Sequence, residues 1–240
     1  MVFPFQVYMN LEGKSVVITG ASRGFGEALA KAFAKKGAKI MLSARNESEL
    51  QQLAKKLKCG YFKADVTKQD EMNALAEKAK EKFGAIDVWV NNAGIFIPKA
   101  GVGETDWPRA HEMMETNFFG MVYGCLAALP QMRKQGSGVI MNVLSTASLE
   151  GKTKISAYSA TKFAAKGFTE SLRLEEKESG IQVFGIYPGG MQTHLFDEGK
   201  PDGFGEYMDP VKVARKVIKN LEKEKPKLDL IIRRPKKQSA

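Results

Sequence analysis

The sequence predicts one α/β domain built on a doubly wound, mostly parallel sheet, and three observations carry that expectation. From Lys14 onward, short runs rich in Val and Ile alternate with longer amphipathic stretches, the pattern of repeated βαβ units. The first apolar run ends in a glycine-rich turn that opens a helix-period stretch. No linker, internal repeat or low-complexity tract breaks the alternation, and 240 residues suit a single domain with a sizeable apolar core.

Taken in order, strands are expected at residues 15–19, 39–43, 60–63, 87–90, 138–143, 182–187 and 228–232. Helices are expected at 24–36, 47–58, 69–83, 109–134, 157–179 and 210–223, where apolar residues recur with helical spacing. Residues 1–10 read as a lead-in, 11–232 as the domain, and 233–240 as a basic, polar tail expected to be disordered. Three segments, 95–108, 149–155 and 188–210, follow strands directly. In open α/β sheets such segments wall the ligand crevice, and 188–210 is expected to form the substrate loop.

Composition narrows the function classes. At 43% hydrophobic and 27% charged residues the chain is of soluble globular type, and no apolar run approaches the roughly 20 residues that span a bilayer. Residues 1–10 lack the basic start and small-residue cleavage site of a signal peptide. Cys59 and Cys125 form no C-x-x-C pair, which suits free thiols in a reducing, cytoplasmic setting. The net charge of +10 raises an anionic partner: nucleic acid, an acidic membrane surface or a phosphorylated ligand. The lysines, however, are spread along helices and interleaved with Glu, as in 30–36 and 77–82, so solvated faces explain most of them and no nucleic acid is expected. His111 and His194 stand apart without ligand spacing, and no metal is expected. Met113, Met114 and Met121 read as core or subunit-contact filler.

The first strand runs into Thr19-Gly20-Ala21-Ser22-Arg23-Gly24-Phe25-Gly26. Glycines at a strand-to-helix turn let backbone amides approach a pyrophosphate, and the helix N-terminus favours its charge. A glycine-rich turn alone is weak evidence, but the strand before it and the helix after it supply the required context. At the end of the second strand stand Ala44 and Arg45, where an NAD-selecting site wants an acid for the ribose hydroxyls. A lone Arg is ordinarily a solvated charge. Two guanidinium groups, Arg45 and Arg23, at the adenosine ribose instead favour a 2′-phosphate, and so NADP(H).

Further along, Tyr158-Ser159-Ala160-Thr161-Lys162 puts Tyr158 and Lys162 four apart on one helix face, with Ser145 thirteen residues earlier at a strand end. A free phenol ionises near pH 10, and a nearby ammonium favours its anion, bringing Tyr158 toward the range of a general acid/base. On its own, Y-x-x-x-K is common by chance.

With T-G-x-x-x-G-x-G upstream and Ser145 in place, residues 11–220 resemble the short-chain dehydrogenase/reductase family. The resemblance implies a single-domain, Rossmann-like sheet of seven mostly parallel strands in the order 3-2-1-4-5-6-7, with helices on both faces and a nicotinamide cofactor along its carboxyl edge. It implies catalytic roles for Asn117, Ser145, Tyr158 and Lys162, with Asn117 connecting Lys162 to solvent through an ordered water. By the same resemblance Asp65 and Val66 meet the adenine, although Asp65 and Thr67 are equally suited to capping the next helix. In Asn91-Asn92-Ala93-Gly94, the last three residues line the ribose and Asn91 holds neighbouring strands. Pro188, Gly189 and Thr193 match the family's P-G-x-x-x-T turn at the carboxamide or phosphates. The expected cofactor contacts are thus Gly20, Ser22, Arg23, Gly24, Phe25, Gly26, Arg45, Asp65, Val66, Asn92, Ala93, Gly94, Tyr158, Lys162, Pro188, Gly189 and Thr193.

The implied reaction moves a hydride between NADP(H) and a carbonyl or secondary alcohol. The Tyr, Lys and Ser positions argue against a non-catalytic nucleotide sensor, and dehydratase or epimerase relatives generally carry a larger C-terminal substrate domain. Met191, Leu195, Phe196, Phe204, Tyr207 and Met208 crowd the substrate loop and are candidates to touch an apolar substrate, with Phe96 and Trp107 for the opposite wall. A homodimer or homotetramer through helices 109–134 and 157–179 is the family's common assembly.

Overall fold

The computed structural model describes residues 9–235. In chain order the strands are β1 (Ser15–Thr19), β2 (Lys39–Ala44), β3 (Gly60–Lys63), β4 (Val88–Asn91), β5 (Gly138–Val143), β6 (Ile181–Pro188) and β7 (Asp229–Ile232). All neighbours pair parallel, in the order β3-β2-β1-β4-β5-β6-β7. The helices are α1 (Gly24–Ala34), α2 (Glu47–Leu57), α3 (Gln69–Phe83), α4 (Trp107–Met114), α5 (Gly120–Gln135), α6 (Ser156–Glu175) and α7 (Pro210–Leu221).

Period-two alternation along each strand divides the apolar core into two layers. Val16 and Ile18, Val88 and Val90, Val139 and Met141, and Phe184 and Ile186 face one layer, where Leu29 and Phe33 of α1, Leu50 of α2 and Val217 of α7 cover them. The intervening Val17, Trp89, Ile140 and Val183 face the other, against Leu75 of α3, Leu129 of α5 and Leu172 of α6. Both faces of the sheet are therefore dry. Because all strands run the same way, the segments after β1, β2, β3, β4, β5 and β6 gather along one edge.

Two helices depart from expectation. The single helix expected at 109–134 is α4 and α5 joined by a π turn, Glu115–Phe119, with Asn117 at its centre. A wide turn of this kind re-aims one side chain within a continuous helix, and Asn117 is turned onto the backbone of Ile95. The helix expected to reach 179 stops at Glu175, because the buried Glu176 carboxylate is engaged by the Arg133 guanidinium and the Ser179 hydroxyl donates to the Glu176 carbonyl. Strand ends at β2, β4, β6 and β7 shift by one residue.

At the termini, residues 1–8 of the lead-in and 236–240 of the tail lie outside the described residues. Arg233 and Arg234, placed in the tail by sequence, lie against the body. Arg233 reaches Glu150 at 3.8 Å, and the Arg234 guanidinium stacks 4.6 Å from the centre of the Tyr207 ring.

Candidate active site

The gathered segments enclose a cleft of about 720 Å³ along the carboxyl edge of the sheet. Its wall includes Gly20, Ser22, Arg23, Gly24 and Phe25 after β1, Arg45 after β2, Asp65 and Val66 after β3, and Asn92, Ala93 and Gly94 after β4. Asn117, Ser145, Tyr158, Lys162, Pro188, Gly189 and Thr193 complete it.

Gly26 is the one expected contact outside that wall. A Cβ there would lie 2.2 Å from the Gly20 carbonyl oxygen and 2.6 Å from Asn92 Nδ2, so Gly26 lets α1 close onto the first turn. The turn itself is tied across the sheet. Asn92 Nδ2 donates to the carbonyls of Thr19 and Gly20, at 2.9 and 3.0 Å, and the Thr19 hydroxyl accepts from the amides of Asn92 and Ala93. Arg23, the residue preceding α1, makes no side-chain cap, so the first amides of the helix face the cleft without a protein acceptor from that side chain.

Asn91 closes β4 as a strand tie: its Nδ2 donates to Asn142 Oδ1 at 2.9 Å, and its Oδ1 accepts from Trp89 Nε1 at 2.8 Å. After β3, neither candidate caps the next helix. Lys68 occupies that position without a side-chain bond, while Asp65 Oδ1 accepts from the amide and hydroxyl of Thr67 in a local turn.

Ser145 follows β5 in extended conformation and precedes a 3-10 turn, Thr146–Ser148. Its Oγ accepts the Ala147 amide at 3.1 Å, which leaves the hydroxyl hydrogen to donate elsewhere. Tyr158 and Lys162 share one face of α6, and Lys162 Nζ sits 5.8 Å from the Tyr158 ring centre. Burial pushes the phenol up to about 12, with the nearby Ser145 hydroxyl pulling the other way. Burial also pulls the Lys162 ammonium down to about 8. Burial is thus the larger influence on both groups, and it disfavours the charged form of each. Lys162 Nζ donates to the Val143 carbonyl at 3.0 Å, its one hydrogen-bond acceptor among the described residues. Two further ammonium hydrogens remain for a ligand.

The Asn117 carboxamide is held by protein groups at both ends. Its Oδ1 accepts the Ile95 amide at 2.8 Å, and its Nδ2 donates to the Ile95 carbonyl at 3.0 Å and to Thr161 Oγ1 at 3.2 Å. With both amide hydrogens committed, the carboxamide is a clamp between the segment after β4 and helix α6. Thr161, which the sequence reading passes over, is the relay, since its hydroxyl donates to the Tyr158 carbonyl at 2.9 Å. Its position three residues after Tyr158 is the signal that identifies it.

The loop 188–210 is closed on itself by a short parallel bridge between Met191 and Met208 and by Gln192 Nε2 donating to the Gly205 carbonyl. Asp197 pairs with Arg23 at 3.7 Å and with His194 at 2.9 Å, and Glu198 pairs with Arg109. The loop thus spans from the first turn to α4. Of the apolar candidates, Met191, Leu195, Phe196, Tyr207 and Phe96 line the cleft. Phe204 instead faces a separate groove beside α1, and Trp107 is 48% exposed outside the cleft. Met208 packs against the core. His111 is exposed, Met113 and Met121 are buried, and Met114 is partly buried.

The donor set fits a nicotinamide dinucleotide on this chain's own geometry: an uncapped helix start for a pyrophosphate and a buried ammonium with two spare hydrogens for a ribose diol. No helix among the described residues is long and apolar enough to cross a membrane.

Comparison with known proteins agrees. The short chain dehydrogenase family model matches residues 14–202. An uncharacterized oxidoreductase of Staphylococcus saprophyticus is 36% identical over 221 residues, 89% of this chain and 93% of its own length. Among solved structures, an alcohol dehydrogenase from the archaeon Thermococcus sibiricus, complexed with 5-hydroxy-NADP, superposes with a TM-score of 0.81 at 30% identity, covering 92% of this chain and 94% of its own. A 3-ketoacyl-(acyl-carrier-protein) reductase from Brucella melitensis, complexed with NADH, gives 0.86 at 27% identity, covering 92% and 97%. With the family model matching from β1 through β6 and into the substrate loop, this chain is an oxidoreductase of the short-chain dehydrogenase/reductase family.

Proposed function

We propose that the protein is an NADP(H)-dependent oxidoreductase interconverting a carbonyl group and a secondary alcohol, with Tyr158 as general acid and base. The convergence of Ser145, Tyr158 and Lys162 on one cleft, whose other end is the uncapped start of α1, carries this reading. When bound, the nucleotide supplies the hydride for reduction and takes it in oxidation. Ser145 donates its free hydroxyl hydrogen to the carbonyl oxygen, and Tyr158, held protonated by burial, gives that oxygen its proton. Lys162 offsets the phenolate that remains and offers its two spare hydrogens to the ribose. Asn117 acts as a positioning residue through Ile95 and Thr161.

Preference for NADP(H) rests on this chain's own residues, since the two structural neighbours carry different nucleotides. Ala44 offers no carboxylate to repel a 2′-phosphate, and Arg45 and Arg23 both line the cleft. The remaining contacts are those expected from sequence, Gly26 excepted.

The test is an NADPH-oxidation screen over ketones, aldehydes, quinones and 3-oxoacyl thioesters, repeated with NADH. Turnover with NADPH that disappears in Tyr158→Phe is the expected result; activity surviving in that variant overturns the mechanism.

We further infer a homodimer joined through α5 and α6, where Leu126 and Phe163 are each 44% exposed. Light scattering should give twice the 26.4 kDa chain mass, falling to the monomer in Phe163→Glu. Two free cysteines, Cys59 and Cys125, both held protonated by burial, suit a cytoplasmic protein.

A further inference from the structure

An unbroken row of aromatic rings leads away from the proton donor and ends at a cation. The Phe96 ring packs edge-on against Tyr158 with centres 5.0 Å apart, Phe196 packs against Phe96 at 5.1 Å, and Tyr207 packs against Phe196 at 5.5 Å. Arg234 then lies over the Tyr207 ring at 4.6 Å. All five residues line the cleft, and they come from four separate segments of the chain. The arrangement is built in, because the Tyr207 ring rests on Gly190, where a Cβ would come within 2.4 Å of it.

Arg234 meets no carboxylate and donates no side-chain hydrogen bond among the described residues, so a guanidinium lying over the Tyr207 ring keeps N–H groups to offer a ligand. Lys99 and Lys152 line the same cleft. The two loop carboxylates that line the cleft are already engaged, Asp197 by Arg23 and His194 and Glu198 by Arg109. A stacked, planar fork without a counter-charge is suited to bidentate capture of a carboxylate or phosphate.

We propose, resting on the carbonyl chemistry above, that the substrate is an amphiphilic carbonyl compound: an aromatic or extended apolar body lies along Phe96, Phe196 and Tyr207, and a remote anionic group is held by Arg234. The anion is separated from the reacting carbonyl by the length of that body, so 2-oxo acids, whose carboxylate adjoins the carbonyl, are poor substrates. Phe96, Phe196 and Arg234 are the specificity-determining residues.

The test uses the full-length enzyme with NADPH and 4-acetylphenyl alkanoic acids bearing two, four or six methylene groups. Each acid is compared with its methyl ester and, at equal length, with the corresponding phosphate monoester. At one or more lengths an anion should exceed its ester in kcat/KM by about tenfold, mainly through KM, because a remote charge contributes binding that is uniform along the reaction. The advantage should shrink with added KCl. In Arg234→Gln it should collapse toward unity because the anion loses far more kcat/KM than the ester, and Phe196→Ala should weaken acid and ester together. Acid or phosphate preference identifies which anion is held. Esters turned over as well as both anions at every length, or Arg234→Gln lowering anion and ester equally, overturns the proposal. Turnover of no carbonyl at all would instead count against the proposed reaction.

Discussion

The Asn117 carboxamide pairs with both backbone groups of Ile95, accepting its amide at 2.8 Å and donating to its carbonyl at 3.0 Å. The same nitrogen reaches Thr161, so one buried side chain fixes the segment that carries Gly94 and Phe96 against the helix that carries Tyr158 and Lys162. Removing it in Asn117→Ala strands three polar groups. At about 1 kcal/mol or more for each, the loss should total roughly 2–4 kcal/mol and appear as a melting point lower by about 5–10 °C. Asn117→Asp should fare little better, because it sets an acceptor against the Ile95 carbonyl. A variant that melts like the wild type but has lost turnover would show that Asn117 acts on the proton path and not as a clamp.

Lys162 places a buried ammonium beside a single acceptor, which favours function at the expense of stability. Lys162→Met keeps the length of the side chain and removes the buried charge. Turnover should fall by at least about a hundredfold, consistent with losing a charge that supports proton transfer. Stability at pH 7 should stay level or rise by roughly 1–3 kcal/mol. The sign follows from linkage: a folded pKa of about 8 against 10.5 means the penalty is complete below pH 8 and fades as pH rises between those values. The stabilising effect of Lys162→Met in urea unfolding should therefore be larger at pH 7 than at pH 9.5. An equal effect at both would refute the assignment.

The same two groups set the pH dependence of carbonyl reduction. Tyr158, pushed up to about 12, stays protonated throughout the assay range, whereas Lys162 loses its charge near 8. The plot of log kcat/KM for reduction should be level below about pH 7 and decline above about pH 8. Lys162→Arg, whose guanidinium does not titrate there, should be slower but without that decline. A wild-type profile level to pH 10 would mean that the ammonium charge is not needed.

The strands were legible in the sequence as short Val- and Ile-rich runs, whereas their order, β3-β2-β1-β4-β5-β6-β7, was implied by the resemblance to the family and not by any pattern within the strands. In β1 the run Val16-Val17-Ile18 is apolar throughout, so only the structure shows that Val16 and Ile18 face one layer and Val17 the other. The pairing of Tyr158 and Lys162, the proposed catalytic side chains, was legible because their spacing is local: they are one helical turn apart. What stayed hidden depends on distant pairing. Nothing near Asn117 in the chain announces Ile95, twenty-two residues away, and helical periodicity runs straight through a π turn. Arg234 reads as part of a basic tail until β7 carries it beside Tyr207. The upward shift of Tyr158 and the downward shift of Lys162 come from burial, which residue spacing does not report.

Asp197 pairs with Arg23 at 3.7 Å, both side chains about half exposed, so the pair is worth at most about 1 kcal/mol. It nevertheless sits where a 2′-phosphate would need the guanidinium. The carboxylate both occupies Arg23 and repels the incoming phosphate, and the two effects share a sign. Asp197→Asn should therefore tighten NADP+ by about two- to fivefold in a fluorescence titration while leaving NAD+ unchanged, and the difference should narrow in high salt. Arg23→Ala should move the other way, lowering the NADPH-over-NADH preference in kcat/KM by about tenfold, the scale of one lost charge-assisted hydrogen bond. If Asp197→Asn alters both nucleotides equally, the loop acts on the shared part of the cofactor, and Arg23 is not the residue that distinguishes them.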